Sequence, residues 1–133
     1  MKAFLVWLAL TLGAFGGLGG GYHLALESAP RRVAVVVDSS FAMKPVWHQV
    51  APLLRDLGAR RYTEFSLMTE KGPVHGWARR LSAGKLAPYA PRDFGALEGG
   101  SFPELDEAGE VYFITNAPAG ETADFGGWTI VRP

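Results

Sequence analysis

The chain has 133 residues, with thirteen basic and thirteen acidic side chains and no cysteine. Without cysteine there can be no disulfide, no thiolate chemistry and no cysteine-ligated zinc. The even charge, with no basic stripe or acidic tail along the sequence, excludes broad electrostatic attraction to nucleic acid, so no nucleic-acid partner is expected. Setting the first 30 residues aside leaves about 100, enough for one domain with its own core and too few for two. Glycine is abundant at seventeen but not periodic, so the composition is not collagen-like.

From Ala3 to Leu26 there is no charged residue. As a helix this run would be about 36 Å long, enough to cross a hydrocarbon core of about 30 Å. A cleaved signal peptide is the competing reading, with Lys2 as its charged start and Phe4–Phe15 as its apolar core. It lacks a good cleavage signature: near Ser28-Ala29, Pro30 would follow the cut and Glu27 would stand three residues before it. Residues 1–26 are therefore read as a single-pass transmembrane anchor, with the signal peptide as the alternative. Gly13 and Gly17, Gly16 and Gly20, and Gly17 and Gly21 stand four apart, which makes a smooth face for another membrane helix. Glycine is also simply common in such helices. Lys2 on one side and Arg31 with Arg32 on the other leave the positive-inside count nearly tied. The short N-terminal flank resembles a signal-anchor, which places the domain outside the cytoplasm, or in the periplasm of a bacterium.

Residues 27–32, broken by Pro30, read as a linker, and residues 33–133 as the α/β domain. Val33–Val37 is an unbroken β-branched run, the pattern of a strand buried on both faces. It ends in Asp38-Ser39-Ser40. A helix should follow, with Val46, Val50, Leu53, Leu54 and Leu57 on one face, Pro45 in its first turn and Gly58 just past its end. Pro52 inside it should cause a kink, at a cost of about 3 kcal/mol or more. Tyr62–Thr69 and Val74–Ala78, joined by the turn Lys71-Gly72-Pro73, form a hairpin. Leu81–Ser101 is rich in Gly, Pro and Ala and reads mostly as loop. Glu110–Thr115 is a second buried strand, ending in Asn116-Ala117-Pro118, and Gly127–Val131 a last short one.

This order implies a mostly parallel, Rossmann-like sheet with packed helices. Ligands in such sheets sit at the carboxyl ends of strands near the switch point. Asp38-Ser39-Ser40 and Thr115-Asn116 both fall there.

The stretches VAVVVDSSFAM, Gly99-Gly100-Ser101 and VYFITNA together resemble a von Willebrand factor A domain, over most of residues 31–131. That resemblance implies a metal-ion-dependent adhesion site, usually for magnesium, built from an Asp-x-Ser-x-Ser motif, a threonine loop and a Thr-Asp-Gly-like turn. Carried over, Asp38 supplies charge, Ser40 a hydroxyl, Ser101 stands in for the threonine and Asn116 for the second carboxylate. The third motif position is Ala42, which offers no oxygen, and Asn116 is neutral, so Mg2+ binding should be weakened or lost. The plain alternative is that Asp38 and Ser40 only satisfy backbone groups at a strand end.

An enzyme is not expected. A haloacid-dehalogenase-like phosphatase would need a second aspartate where Ser40 stands, and a later lysine, but no lysine follows Asn116. His23, His48 and His75 show no zinc-site spacing. Trp47, Trp77 and Trp128 read as core or rim packing, and Arg79-Arg80 as a solvated pair. The expected function is a non-enzymatic, membrane-anchored module that binds a protein partner through the strand-end face. The alternative is a structural accessory subunit of a membrane complex, held by its glycine-faced helix with the strand-end site inert.

Overall fold

A computed structural model describes all 133 residues, which divide into two compact units, Met1–Pro30 and Arg31–Pro133. The first unit is a single helix, α1 (Lys2–Ser28), long and apolar enough to cross a membrane, a test that a signal sequence also passes. The helix outruns the expected anchor by two residues. Arg31 is already in a strand, because its amide donates to the Tyr62 carbonyl at 2.9 Å, so only Ala29 and Pro30 lie between the end of α1 and the first strand.

The second unit is an α/β domain around a five-stranded, mostly parallel mixed sheet. Its strands are β1 (Arg31–Val37), β2 (Thr63–Thr69), β3 (Pro73–Ala78), β4 (Glu110–Ile114) and β5 (Thr129–Val131), in the spatial order β3-β2-β1-β4-β5. β1 is parallel to both β2 and β4, β4 is parallel to β5, and only β3 is antiparallel, as the return arm of the hairpin.

The period-2 geometry of a strand explains why β1 has no polar position after Arg32. Val33, Val35 and Val37 enter one core, with Met43, Val50, Leu54, Phe65, Leu67 and Ile114. Ala34 and Val36 face the other, with Met68, Phe94, Leu97, Phe102, Phe113 and Phe125. The second core is aromatic. The Phe113 ring meets Phe94, Phe125 and Trp128 edge-on, with centroids 5.0, 5.4 and 6.0 Å away. Trp128 also stacks on Phe125 at 4.6 Å.

The stretch expected as loop is indeed mostly irregular, yet it buries Phe94 and Leu97. Two one-turn helices, α3 (Gly95–Glu98) and α4 (Pro103–Glu107), do the covering that a long helix would do elsewhere. On the other face the expected single helix is two segments: a 3-10 helix over Phe41–Gln49, then α2 (Val50–Gly58). This division removes the difficulty at Pro52. In the first turn of α2 its missing N–H would have had no partner within that helix. Gly58 closes α2, and a Cβ there would lie 3.1 Å from Leu81 Cβ, so glycine admits the close approach of that segment.

Candidate functional site

β1, β2 and β4 all run the same way, and their carboxyl ends bring together residues far apart in sequence. Asp38 follows β1 and is fully buried. Its Oδ1 accepts the Ser40 amide at 2.9 Å, a local turn bond. Its Oδ2 accepts the Thr115 hydroxyl at 2.7 Å, across from the end of β4. The same Oδ2 receives two charged donors, Arg92 Nε at 3.1 Å and Arg92 Nη2 at 3.0 Å.

Arg92 therefore supplies the positive charge at Asp38. It reaches the site because residues 89–90 lie alongside residues 39–41. The Tyr89 amide donates to the Ser39 carbonyl at 2.9 Å, the Phe41 amide to the Ala90 carbonyl at 2.8 Å, and Ser40 and Ala90 form a parallel bridge. The guanidinium has further partners. Nη2 donates to Asn116 Oδ1, and Nη1 lies 3.4 Å from Glu121 Oε2. Asn116 is itself oriented by its Nδ2, which donates to the Ala42 carbonyl at 2.7 Å, so its oxygen faces Arg92.

A second carboxylate, Glu70, stands just beyond β2 and is also fully buried. It accepts the Ser39 amide at 2.7 Å on Oε2, and the Ser39 hydroxyl lies 3.0 and 3.1 Å from its two oxygens. Burial pushes the Glu70 carboxyl above its ordinary pKa. The Ser39 hydrogen bonds oppose this, and the negative charge of Asp38 adds to it. The Ser40 hydroxyl is buried without a hydrogen-bond partner.

Of the four residues expected from sequence, Asp38 and Asn116 meet at Arg92, and Ser40 adjoins them through its backbone. Ser101 follows α3 with its side chain exposed, and its amide donates to the Ala96 carbonyl at 3.4 Å. No contact draws it to Asp38. Arg92 and Glu70 escaped the sequence reading. Glu70 had a signal, since it is charged and sits where a buried strand ends, as Asp38 does. Arg92 had none, lying in an aperiodic Pro-rich stretch 54 positions from its partner.

A magnesium ion wants six hard oxygens in a near-octahedral shell. Entering here, it would have to displace the guanidinium from Asp38 Oδ2 and Asn116 Oδ1. It would then find one carboxylate, one hydroxyl and one amide oxygen, with nothing from Ala42. These residues fit Arg92 better than they fit a magnesium ion.

The rim is aromatic and accessible. Phe41 is 48% exposed and Tyr89 60%, with Lys44 Nζ 4.7 Å from the Phe41 ring centroid. Elsewhere, an apolar groove of about 280 Å³ lies beside α2, lined by Trp47, Val50, Leu54 and Leu86. His48 and His75 have separate surroundings. His75 Nδ1 lies 2.7 Å from the Gly76 carbonyl, and His48 is exposed.

The chain matches no family model, no curated protein and no solved structure.

Proposed function

We propose that the chain is a non-enzymatic, membrane-anchored protein-binding module whose docking face is the carboxyl end of the sheet, and that it docks without a cation. The observation that carries this reading is the pair Phe41 and Tyr89, two exposed aromatic side chains on backbone segments bonded to each other, around a neutralised polar centre. Aromatic residues and arginine are the side chains most often responsible for binding energy at protein interfaces. Both Asp38 oxygens are spent on internal partners, so the carboxylate is not offered as a nucleophile or base. The spatial order 3-2-1-4-5 agrees with the start of a doubly wound sheet, in which this end is the ligand-bearing one. It also supports the von Willebrand factor A-like reading, here as a small variant in which Arg92 takes the place of the metal. The long apolar α1 supports a membrane location.

A photo-crosslinking side chain placed at Tyr89 in membranes tests this. A discrete adduct with one protein, weakened by Phe41→Ala and unaffected by chelator, is expected. The proposal fails if position 89 gives no adduct beyond that obtained from Arg61, at the opposite end of the sheet.

A further inference from the structure

The chain carries no net charge, yet the fold separates its charges. Arg31 and Arg32 open β1. Arg60 and Arg61 precede β2, whose first residue, Thr63, pairs with Arg31. Arg79 and Arg80 follow β3, and because β3 is antiparallel its end returns to the start of β2, with Ala78 opposite Phe65. Three doublets, drawn from between Arg31 and Arg80 in the sequence, thus converge on the amino-terminal end of the sheet. They include six of the nine arginines of the chain. Glutamates offset only part of this. Arg32 pairs with Glu107 at 3.1 Å and Glu64 at 3.6 Å, and Arg60 with Glu110 at 3.1 Å. Arg61 and Arg80 are exposed and form no ion pair with a carboxylate, and Arg31, also exposed, feels Glu110 only from beyond ion-pair distance.

The same end is where the chain arrives from α1. Two residues, Ala29 and Pro30, join Ser28 to Arg31, a connection that spans at most about 11 Å. The headgroup layer on each side of a hydrocarbon core is about 5 to 7 Å deep. With α1 as a membrane anchor, connectivity alone therefore holds the arginine end within reach of lipid headgroups. Guanidinium groups suit phosphate because their planar donors match its oxygens in pairs.

We infer that the amino-terminal end of the sheet is an anionic-lipid-binding face, with Arg31, Arg61 and Arg80 contacting headgroup phosphates beside the point where α1 enters the membrane. This rests on the anchor reading of α1. The face holds the amino-terminal end of the sheet at the headgroup layer.

The absence of native cysteine allows a single reporter to be introduced. The full chain carrying Ala59→Cys, labelled with a fluorophore and reconstituted into vesicles containing a headgroup-linked quencher, reads the distance to the bilayer. Ala119→Cys, on the loop after β4, serves as the control at the other end. With about 30 mol% phosphatidylglycerol, quenching at position 59 should be at least about twofold that in pure phosphatidylcholine, and about 1 M salt, where the screening length falls to about 3 Å, should abolish the difference. Arg31→Gln with Arg61→Gln and Arg80→Gln should abolish it too. All three side chains are exposed, so the variant keeps the fold, as near-ultraviolet circular dichroism would verify. Equal quenching in both lipids, or a difference that survives salt or the triple variant, overturns the lipid-binding face. Flotation separates the two readings: a chain that floats with both vesicle types but shows no lipid dependence is anchored without this face, whereas one that floats with neither overturns the anchor and the inference together.

Discussion

Arg92→Ala is the most telling perturbation. Asp38 is fully buried and Arg92 is 19% exposed at its side chain, so the pair is shielded on the aspartate side and open to water on the other. Removing one member of a buried ion pair typically costs about 3–5 kcal/mol, because the remaining charge is left uncompensated. Here the loss should fall near the lower limit. Asp38 keeps the Ser40 amide and the Thr115 hydroxyl, and water can follow the departing side chain. At about 3 kcal/mol, a domain of about 100 residues should lose about 12–24 °C in Tm. The assay is a double-mutant cycle followed by near-ultraviolet circular dichroism of the full chain in detergent. Asp38→Asn should cost less on its own, since the amide oxygen can still accept from Thr115. The pair of substitutions should be less damaging than the sum by at least about 1.5 kcal/mol. Additive losses, or a Tm within about 3 °C of the parent for Arg92→Ala, would refute the assignment of Arg92 as the counter-charge.

Four further outcomes follow from the geometry. In the unaltered chain, about 10 mM Mg2+ should shift Tm by less than about 1 °C, since a ligand stabilises only by binding the folded state; a saturable rise would show that the cation displaces Arg92. Glu70 has a folded pKa raised from 4.5 by burial, so the folded state binds its proton more tightly and stability falls as pH rises from 4.5 through the raised value. Glu70→Gln should flatten that slope in pH-dependent urea melts, and an unchanged slope would count against it. Phe113→Ala should cost about 3–5 kcal/mol in the same melts by opening the aromatic cluster around Phe94, Phe125 and Trp128. Gly17→Leu places its Cβ in open space, since nothing lies within 4 Å of that position. It should therefore leave Tm unchanged, and loss of a co-purifying membrane protein would favour the structural-subunit reading over docking at Phe41 and Tyr89.

The sheet was largely legible in the sequence because its strands are written in the simplest patterns. Val33–Val37 and the apolar run from Val111 to Ile114 are unbroken because both faces of the sheet are covered, and Lys71-Gly72-Pro73 marks the hairpin turn. The helix after Asp38 was legible only as an apolar face. That face continues through Val46 and Val50, while the backbone changes from 3-10 to α between Gln49 and Val50, and periodicity does not resolve such a change. The aromatic side of the core was hidden because Leu97 lies in a one-turn helix and Phe94 and Phe102 stand just before such helices, which are too short to show any period. Half of the site was visible, because Asp38 and Asn116 mark themselves by following buried strands. The other half depends on where residues 89–92 come to rest, a tertiary outcome that Tyr89 and Ala90 settle through main-chain bonds to Ser39 and Phe41. The arginine doublets looked ordinary one at a time, and only the reversal at β3 gathers them.

The central position of β1 also bears on how the chain is made. The strand that ends in the middle of the sheet is synthesised first, and one neighbour, β2, follows within about thirty residues, a short closure. Its other neighbour, β4, begins only at Glu110, and β5 follows it at Thr129–Val131. Until those strands leave the ribosome, one edge of Val33–Val37 has no partner and the aromatic core lacks Phe113, Phe125 and Trp128. A nascent chain of this design is exposed to mispairing while everything between β1 and β4 is being made, and chains truncated before β4 should aggregate and not fold in part.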